Sequence, residues 1–168
     1  MIDRTTNLLG VVGLYVADRI EDAAQNILRH GGETPAALVV IGYDFGPSND
    51  QLKRILGLSH SATVRLVDRL IADGLVERRS GKDKRTIALY LTGRGGEVRE
   101  DLLKERLAAI RPLLIALDDA EQETLAVLLS KMLASMETTA GDRHTLCRLC
   151  DKRVCTDCPI PAEEAPQT

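Results

Sequence analysis

Apolar residues first recur at a helical period: Leu8, Val11, Val12, Tyr15, Val16, Ile20, Ala23, Ala24, Ile27 and Leu28. That spacing of three and four predicts a long helix from about Asp3 to His30, stopped by Gly31 and Gly32. A single helix cannot bury such a stripe by itself, so it needs a partner later in the chain or in a second copy. Thr34 is expected to cap a second helix over about 35–44, with Pro35 at its first position. The turn "DFGPSND" follows, and Ser48 caps a short helix through "NDQLKRIL". "GLS" then makes a tight turn, with Gly57 free to take positive φ and Ser59 as the next cap. The fourth helix, "HSATVRLVDRLIAD", runs to Gly74. Its inner stripe reads as Ala62, Leu66, Leu70 and Val67, which leaves Thr63, Arg65 and Arg69 facing outward.

After Gly74 the period changes to two. "LVERR" (75–79) and "RTIALYL" (85–91) alternate around the polar "SGKDK" and predict a hairpin with a basic tip. Two leucine-rich helices follow over about 93–117 and 119–138, the second started by an Asp119 and Gln122 capping pair. Pro112 must kink or break the first of them, because it has no N–H for the carbonyl of Ala108. The pattern is mainly α with a small β-hairpin wing. A winged helix-turn-helix at 33–92 is flanked by an N-terminal helix (3–32) and C-terminal helices (93–140), then a cysteine-rich motif (141–160) and an acidic tail (161–168).

Composition narrows the chemistry. With one Phe, three Tyr and no Trp, the chain lacks the aromatic platforms of a single-strand binder. No apolar run approaches the roughly 20 residues of a membrane span, and "MIDRTTN" has no secretory leader, so a soluble cytoplasmic protein is expected. Between Lys53 and Arg94 lie ten Lys or Arg and four acids, a local charge of +6 in a chain of net −3; the remainder carries −9. Such a patch in an acidic protein is the footprint of a polyanion partner. No histidine has a carboxylate pair or nucleophile motif beside it, and no HExxH, GxSxG or phosphate loop occurs, so no enzyme is expected.

A helix of this kind fits the major groove with its N-terminal outward residues at base edges. The candidates are Ser59, His60, Ser61, Thr63 and Val64, with Arg65 and Arg69 reaching bases or phosphates and Ser48 beside them. The hairpin offers Arg79, Lys82, Asp83, Lys84 and Arg85 to the neighbouring backbone or minor groove. At "LIADGLVERRSGKDKRTIALYLTGRG" the sequence resembles the MarR-type regulators. D-G-L-V ends the recognition helix, E-R follows, and Asp83, Arg85, Leu91, Thr92 and Gly95 make a D-x-R…L-T-x-x-G pattern. The resemblance covers roughly residues 5–140. It implies a homodimer with interlocked terminal helices that reads a palindromic operator in double-stranded DNA, usually as a repressor. It also implies that Asp83 orients Arg85 for a minor-groove contact, and it allows a small aromatic effector between the dimer base and the winged module.

All four cysteines, Cys147, Cys150, Cys155 and Cys158, fall in "CRLCDKRVCTDC". Each Cys-x-x-Cys pair can make a turn with converging sulfurs, and two such turns can face each other around a metal. Zinc pairs are usually about 15–20 residues apart. The dense spacing and Pro159 directly after Cys158 echo iron–sulfur runs. The spacing is not that of a ferredoxin, but a regulator gains a sensor from a cluster that oxidation can damage. An iron–sulfur cluster (2Fe-2S or 4Fe-4S) is therefore slightly preferred, with zinc as the alternative and a metal-free redox switch as a third reading. Since the motif follows the last helix of the dimer base, it is expected to act on the spacing of the two reading heads. A metal- or electron-carrying protein with a partner-docking winged module is the competing function.

Overall fold

The computed structural model describes residues 2–28, 30–43, 46–81, 87–136, 142–155 and 157–160. Seven helices and two strands occur among them: α1 (Ile2–Ile27), α2 (Thr34–Ile41), α3 (Asn49–Leu56), α4 (His60–Ala72), β1 (Val76–Ser80), β2 (Ile87–Leu91), α5 (Gly93–Leu114), α6 (Asp119–Ala134) and α7 (Asp142–Leu146). The strands pair antiparallel with Val76 opposite Leu91 and Ser80 opposite Ile87. The expected class, mainly helical with one hairpin, is what forms.

The core belongs to the winged region. Leu52, Ile55 and Leu56 of α3, Leu66, Val67 and Leu70 of α4, Leu75, Val76 and Leu89 of the hairpin, and Leu102 of α5 close around α2. All eight residues of α2 are buried, so this helix is covered on every side. α1 packs along α5 yet leaves Leu8, Leu9, Val11, Val12, Leu14 and Tyr15 exposed, and no residue of α6 is buried.

Local chemistry sets the boundaries. Ser48 and Gln51 form a reciprocal capping box on α3, and Gly57 ends that helix at φ 65°. The Ser59 side chain accepts from Ala62 N to start α4. Thr92 is the cap of α5: its Oγ1 accepts from Gly95 N at 3.0 Å and donates to Gly74 O at 2.7 Å. A Cβ on Gly95 would lie 1.9 Å from the carbonyl oxygen of Leu75. The spacing of Thr92 and Gly95 therefore seats α5 against the end of α4.

Several expectations are corrected. α1 ends at Ile27, and α2 runs 34–41 instead of 35–44. Thr34 does not cap α2; Glu33 is at the cap position without a side-chain bond, and Thr34 Oγ1 donates to Gly31 O. The box on α6 is Asp118 with Glu121, one residue before the expected Asp119 and Gln122. Gln122 instead donates to the carbonyls of Leu114 and Leu117 across the turn. α5 continues through Pro112 for two residues and α6 stops at Ala134. The missing Pro112 N–H is lost in a final turn, where the break is cheap. The acidic tail lies outside the described residues.

Candidate nucleic-acid interface and cysteine module

The face of α4 away from the core carries His60, Ser61, Arg65 and Arg69, all exposed, with Val64 half-buried. Ser48 and Ser59 hold the two helix starts on either side of the turn, so their oxygens serve the backbone N–H groups of Gln51 and Ala62. Ser59 Oγ also lies 3.3 Å from Ser61 Oγ. Thr63 is a correction. It is fully buried and its Oγ1 donates to Ser59 O at 3.0 Å. It is Thr63, not Ala62, that joins Leu66, Val67 and Leu70 on the inner face. A β-branched side chain that returns its hydroxyl to the preceding turn is compatible with the core, and hydroxyl polarity hid that in the sequence.

Two features of this face were not anticipated. Asp68 also faces outward, where a carboxylate opposes phosphate, and Arg78 Nη2 of β1 bonds its Oδ1 at 2.7 Å. Arg79 lies with its guanidinium 5.0 Å from the Tyr90 ring centre and its Nε bonded to Glu77. The hairpin thus neutralises the one acid on the outward face of α4 through Arg78, while Arg79, on the other face of the strand, is held by Glu77 and Tyr90. Lys82, Asp83, Lys84 and Arg85, the expected wing tip, lie outside the described residues.

The cysteine motif is folded back onto the winged region. Cys150 N donates to Cys147 O at 2.9 Å, closing the first turn. Asp151 then shapes the four-residue linker: its carboxylate accepts from Arg153 N, Nε and Nη2, and its carbonyl from Val154 N and Cys155 N. Hydrogen bonding from Arg153 holds the buried Asp151 carboxyl below its ordinary pKa. Three anchors tie the module down. Arg148 Nε meets Glu33 at 3.3 Å, Arg153 Nη1 meets Glu100 at 2.6 Å, and the Tyr43 hydroxyl shares its proton between Cys147 O (2.7 Å) and Cys150 O (3.1 Å). Leu149 packs against the winged core.

The thiols neighbour one another without a disulfide. Cys147 interacts with Cys158, and Cys155 with both Cys150 and Cys158. Burial, then repulsion from neighbouring thiols, raises the pKa values of Cys147, Cys150 and Cys155. Burial acts upward on Cys158 as well, but the Ile160 N–H and Arg143 outweigh it and lower its pKa. This series of thiol contacts is looser than a coordination sphere, and no group of three or more His, Cys, Asp or Glu among the described residues is gathered for a metal. Protonated thiols pack further apart than thiolates drawn to about 2.3 Å from one ion. Four cysteine thiols are nonetheless the donor type that a thiolate-bound metal takes. Nε of Arg106 is buried with no hydrogen-bond partner among the described residues, and its charge acts to lower the Cys150 pKa.

Residues 27–86 match the model of the MarR family. Over this segment the chain is similar to the MarR family, and its fold is that of a winged helix. The uncharacterized HTH-type transcriptional regulator YkoM of Bacillus subtilis is 29% identical over 134 residues, 77% of this chain and 86% of YkoM. The transcriptional repressor MprA of Escherichia coli is 30% identical over 93 residues, 55% of this chain; the match spans 53% of MprA. Apo MarR of Escherichia coli superposes with a TM-score of 0.63 at 25% identity over 76% of this chain and 96% of MarR. A mutant MarR complexed with operator DNA gives 0.57 at 25% identity over 79% and 95%. These matches make the chain similar to transcriptional regulators of the MarR family. The segment matched by the family model stops well before the cysteines. Among the described residues no helix is long and apolar enough to cross a membrane.

Proposed function

We propose that the protein is a homodimeric transcriptional repressor that reads a palindromic operator, with α4 in the major groove and the hairpin on the adjoining backbone. The observation that carries this is the outward face of α4, where His60, Ser61, Arg65 and Arg69 are exposed and clear of the core. MarR complexed with operator DNA supports the assignment by analogy. Operator affinity should fall with salt on a log–log slope of about −0.9 per phosphate neutralised. A flat salt dependence, or equal affinity for every duplex at low ionic strength, would falsify the reading and leave the partner-docking alternative.

The second half of the proposal is a metal centre held by Cys147, Cys150, Cys155 and Cys158, with iron–sulfur preferred over zinc. Either would supply a cationic core that relieves the repulsion among four clustered thiolates; an iron–sulfur cluster would add sensitivity to oxidation. Arg106 and Arg143 would offset the residual negative charge. Anaerobic purification with an absorption spectrum and assays of iron, sulfide and zinc decides the occupant. Cys150→Ser with Cys155→Ser should abolish it together with any response of operator affinity to oxidant. Unchanged operator affinity of wild type under oxidant would remove the sensing role while leaving the site.

One further reading has its own observation. A cavity of about 390 Å³ lies between α1, the start of α2 and the cysteine module, with apolar walls that include Ile20, Ala24, Pro35 and Leu149 and with Arg106 and Arg148 at its edge. That combination suits a small aromatic carboxylate as effector. Titration with benzoate should raise the melting temperature of wild type, and Arg106→Gln should remove the rise. No shift in wild type discards this effector.

A further inference from the structure

We propose that the cysteine module acts on the DNA-reading head through α2, with Tyr43 as the positioning residue that joins them; this rests on the metal-centre reading above. The expected route, through the dimer base, is not the one the contacts favour. The module has hold of both ends of α2, a helix about 12 Å long. At the start, Arg148 pairs with Glu33. Two residues past the end, Tyr43 donates to the carbonyls of Cys147 and Cys150. Because α2 is buried along its whole length, displacing one of its covers exposes apolar surface instead of merely freeing a tail.

Tyr43 is suited to register the state of the first Cys-x-x-Cys turn. The two carbonyls that share its proton belong to the two residues whose sulfurs would hold a metal, and the same turn is closed by Cys150 N to Cys147 O. Any change in the separation of those residues alters where Tyr43 can donate. The ring cannot drift freely, since Lys152 Nζ lies 3.7 Å and Arg99 5.7 Å from its centre. Arg99 is fixed in turn: a Cβ on Gly42 would lie 2.2 Å from its side chain, and Nη1 pairs with Glu100, the carboxylate that Arg153 also engages. Beyond Tyr43 the chain reaches Pro47, whose carbonyl accepts from Leu89 N of the hairpin, and Ser48, the cap of α3. Pro47 and Ser48 are only four and five residues past Tyr43, so the proposed route leads from Tyr43 to both the hairpin and α3, and α7 of the module touches α3 directly.

The test is hydrogen exchange across residues 34–43 of the full chain, followed by mass spectrometry, together with operator affinity. The samples are metal-loaded wild type, wild type stripped with a chelator, Cys150→Ser with Cys155→Ser, and Tyr43→Phe. Stripping the metal should speed exchange in 34–43 about tenfold. Tyr43→Phe should keep the metal content and absorption spectrum of wild type and the operator affinity of the stripped protein. Its ratio of loaded to stripped affinities should fall about fivefold, the equivalent of one hydrogen bond. Unchanged exchange at 34–43 on stripping overturns the route through α2, and an unchanged affinity ratio in Tyr43→Phe overturns the role of Tyr43. If wild type holds no metal, the metal reading fails by itself. The hold of the module on α2 is then judged from the double serine variant, where faster exchange upholds it and equal exchange overturns it. Should Tyr43→Phe not fold, Arg148→Gln at the other end of α2 takes its place with the same expected fall in ratio.

Discussion

At the scale of single residues, Gly95 shows how a sequence motif becomes geometry. The Leu75 carbonyl already accepts from Thr92 N at 3.0 Å, and the start of α5 rests so close to it that no side chain fits. Gly95→Ala must push α5 away from the end of α4. The obstacle is backbone, so it cannot swing aside. We expect a loss of about 2–3 kcal/mol, seen as a lower urea midpoint at unchanged slope; a variant as stable as wild type would show that α5 is not seated this way. The pair Thr92 and Gly95 was legible as a pattern, and the caps Ser48 and Ser59 were legible as chemistry. Thr63 was not, because period alone cannot say whether a threonine hydroxyl seeks solvent or the carbonyl four residues back. The Asp118 box was missed by one position for a similar reason: adjacent Asp118 and Asp119 offer the same carboxylate, and only backbone geometry chooses between them.

At the scale of elements, α4 was read correctly in extent and in its charged face, while the role of its neighbour β1 was not. Arg78 belongs by sequence to the basic hairpin expected at phosphate, yet it neutralises Asp68 across 2.7 Å. Arg78→Ala should leave folding nearly untouched, since an exposed pair is worth less than about 1 kcal/mol. It should weaken every duplex because a bare carboxylate then faces phosphate. Arg65→Ala and Arg69→Ala provide the contrast. Each should lessen the salt slope by about one if it meets phosphate, and either one costs about 1–3 kcal/mol at one base pair only if it reads a base. Binding curves on operator and scrambled duplexes across a salt series separate these outcomes, and wild-type affinity in the Arg78 variant would show that Asp68 faces no phosphate. The cysteine element was legible in its spacing but not in its docking. Tyr43 is more than a hundred residues from its carbonyl partners, and no local pattern announces a contact of that range.

At the scale of the whole molecule, the apolar surface asks for a second copy. Leu9, Val12 and Leu14 of α1 and Val127, Leu128 and Met132 of α6 are all more than two-fifths exposed, on helices whose composition would otherwise bury them. Surface of that extent on the terminal helices is far beyond the scattered exposure normal for a monomer. The winged core is closed without these residues, so their burial adds association and not folding of the head. Leu128→Asp with Met132→Asp places two carboxylates on that surface of α6. Light scattering should show wild type with twice the chain mass and the variant with the single mass, its head still folded by circular dichroism. Operator affinity should fall by at least about a hundredfold, because one head loses the second half-site that a dimer reaches at no further cost in association entropy. A variant that stays dimeric would move the interface from α6 to the exposed face of α1 alone. A monomeric variant with wild-type affinity would mean that one winged helix suffices, and then the dimer base has no second head to position.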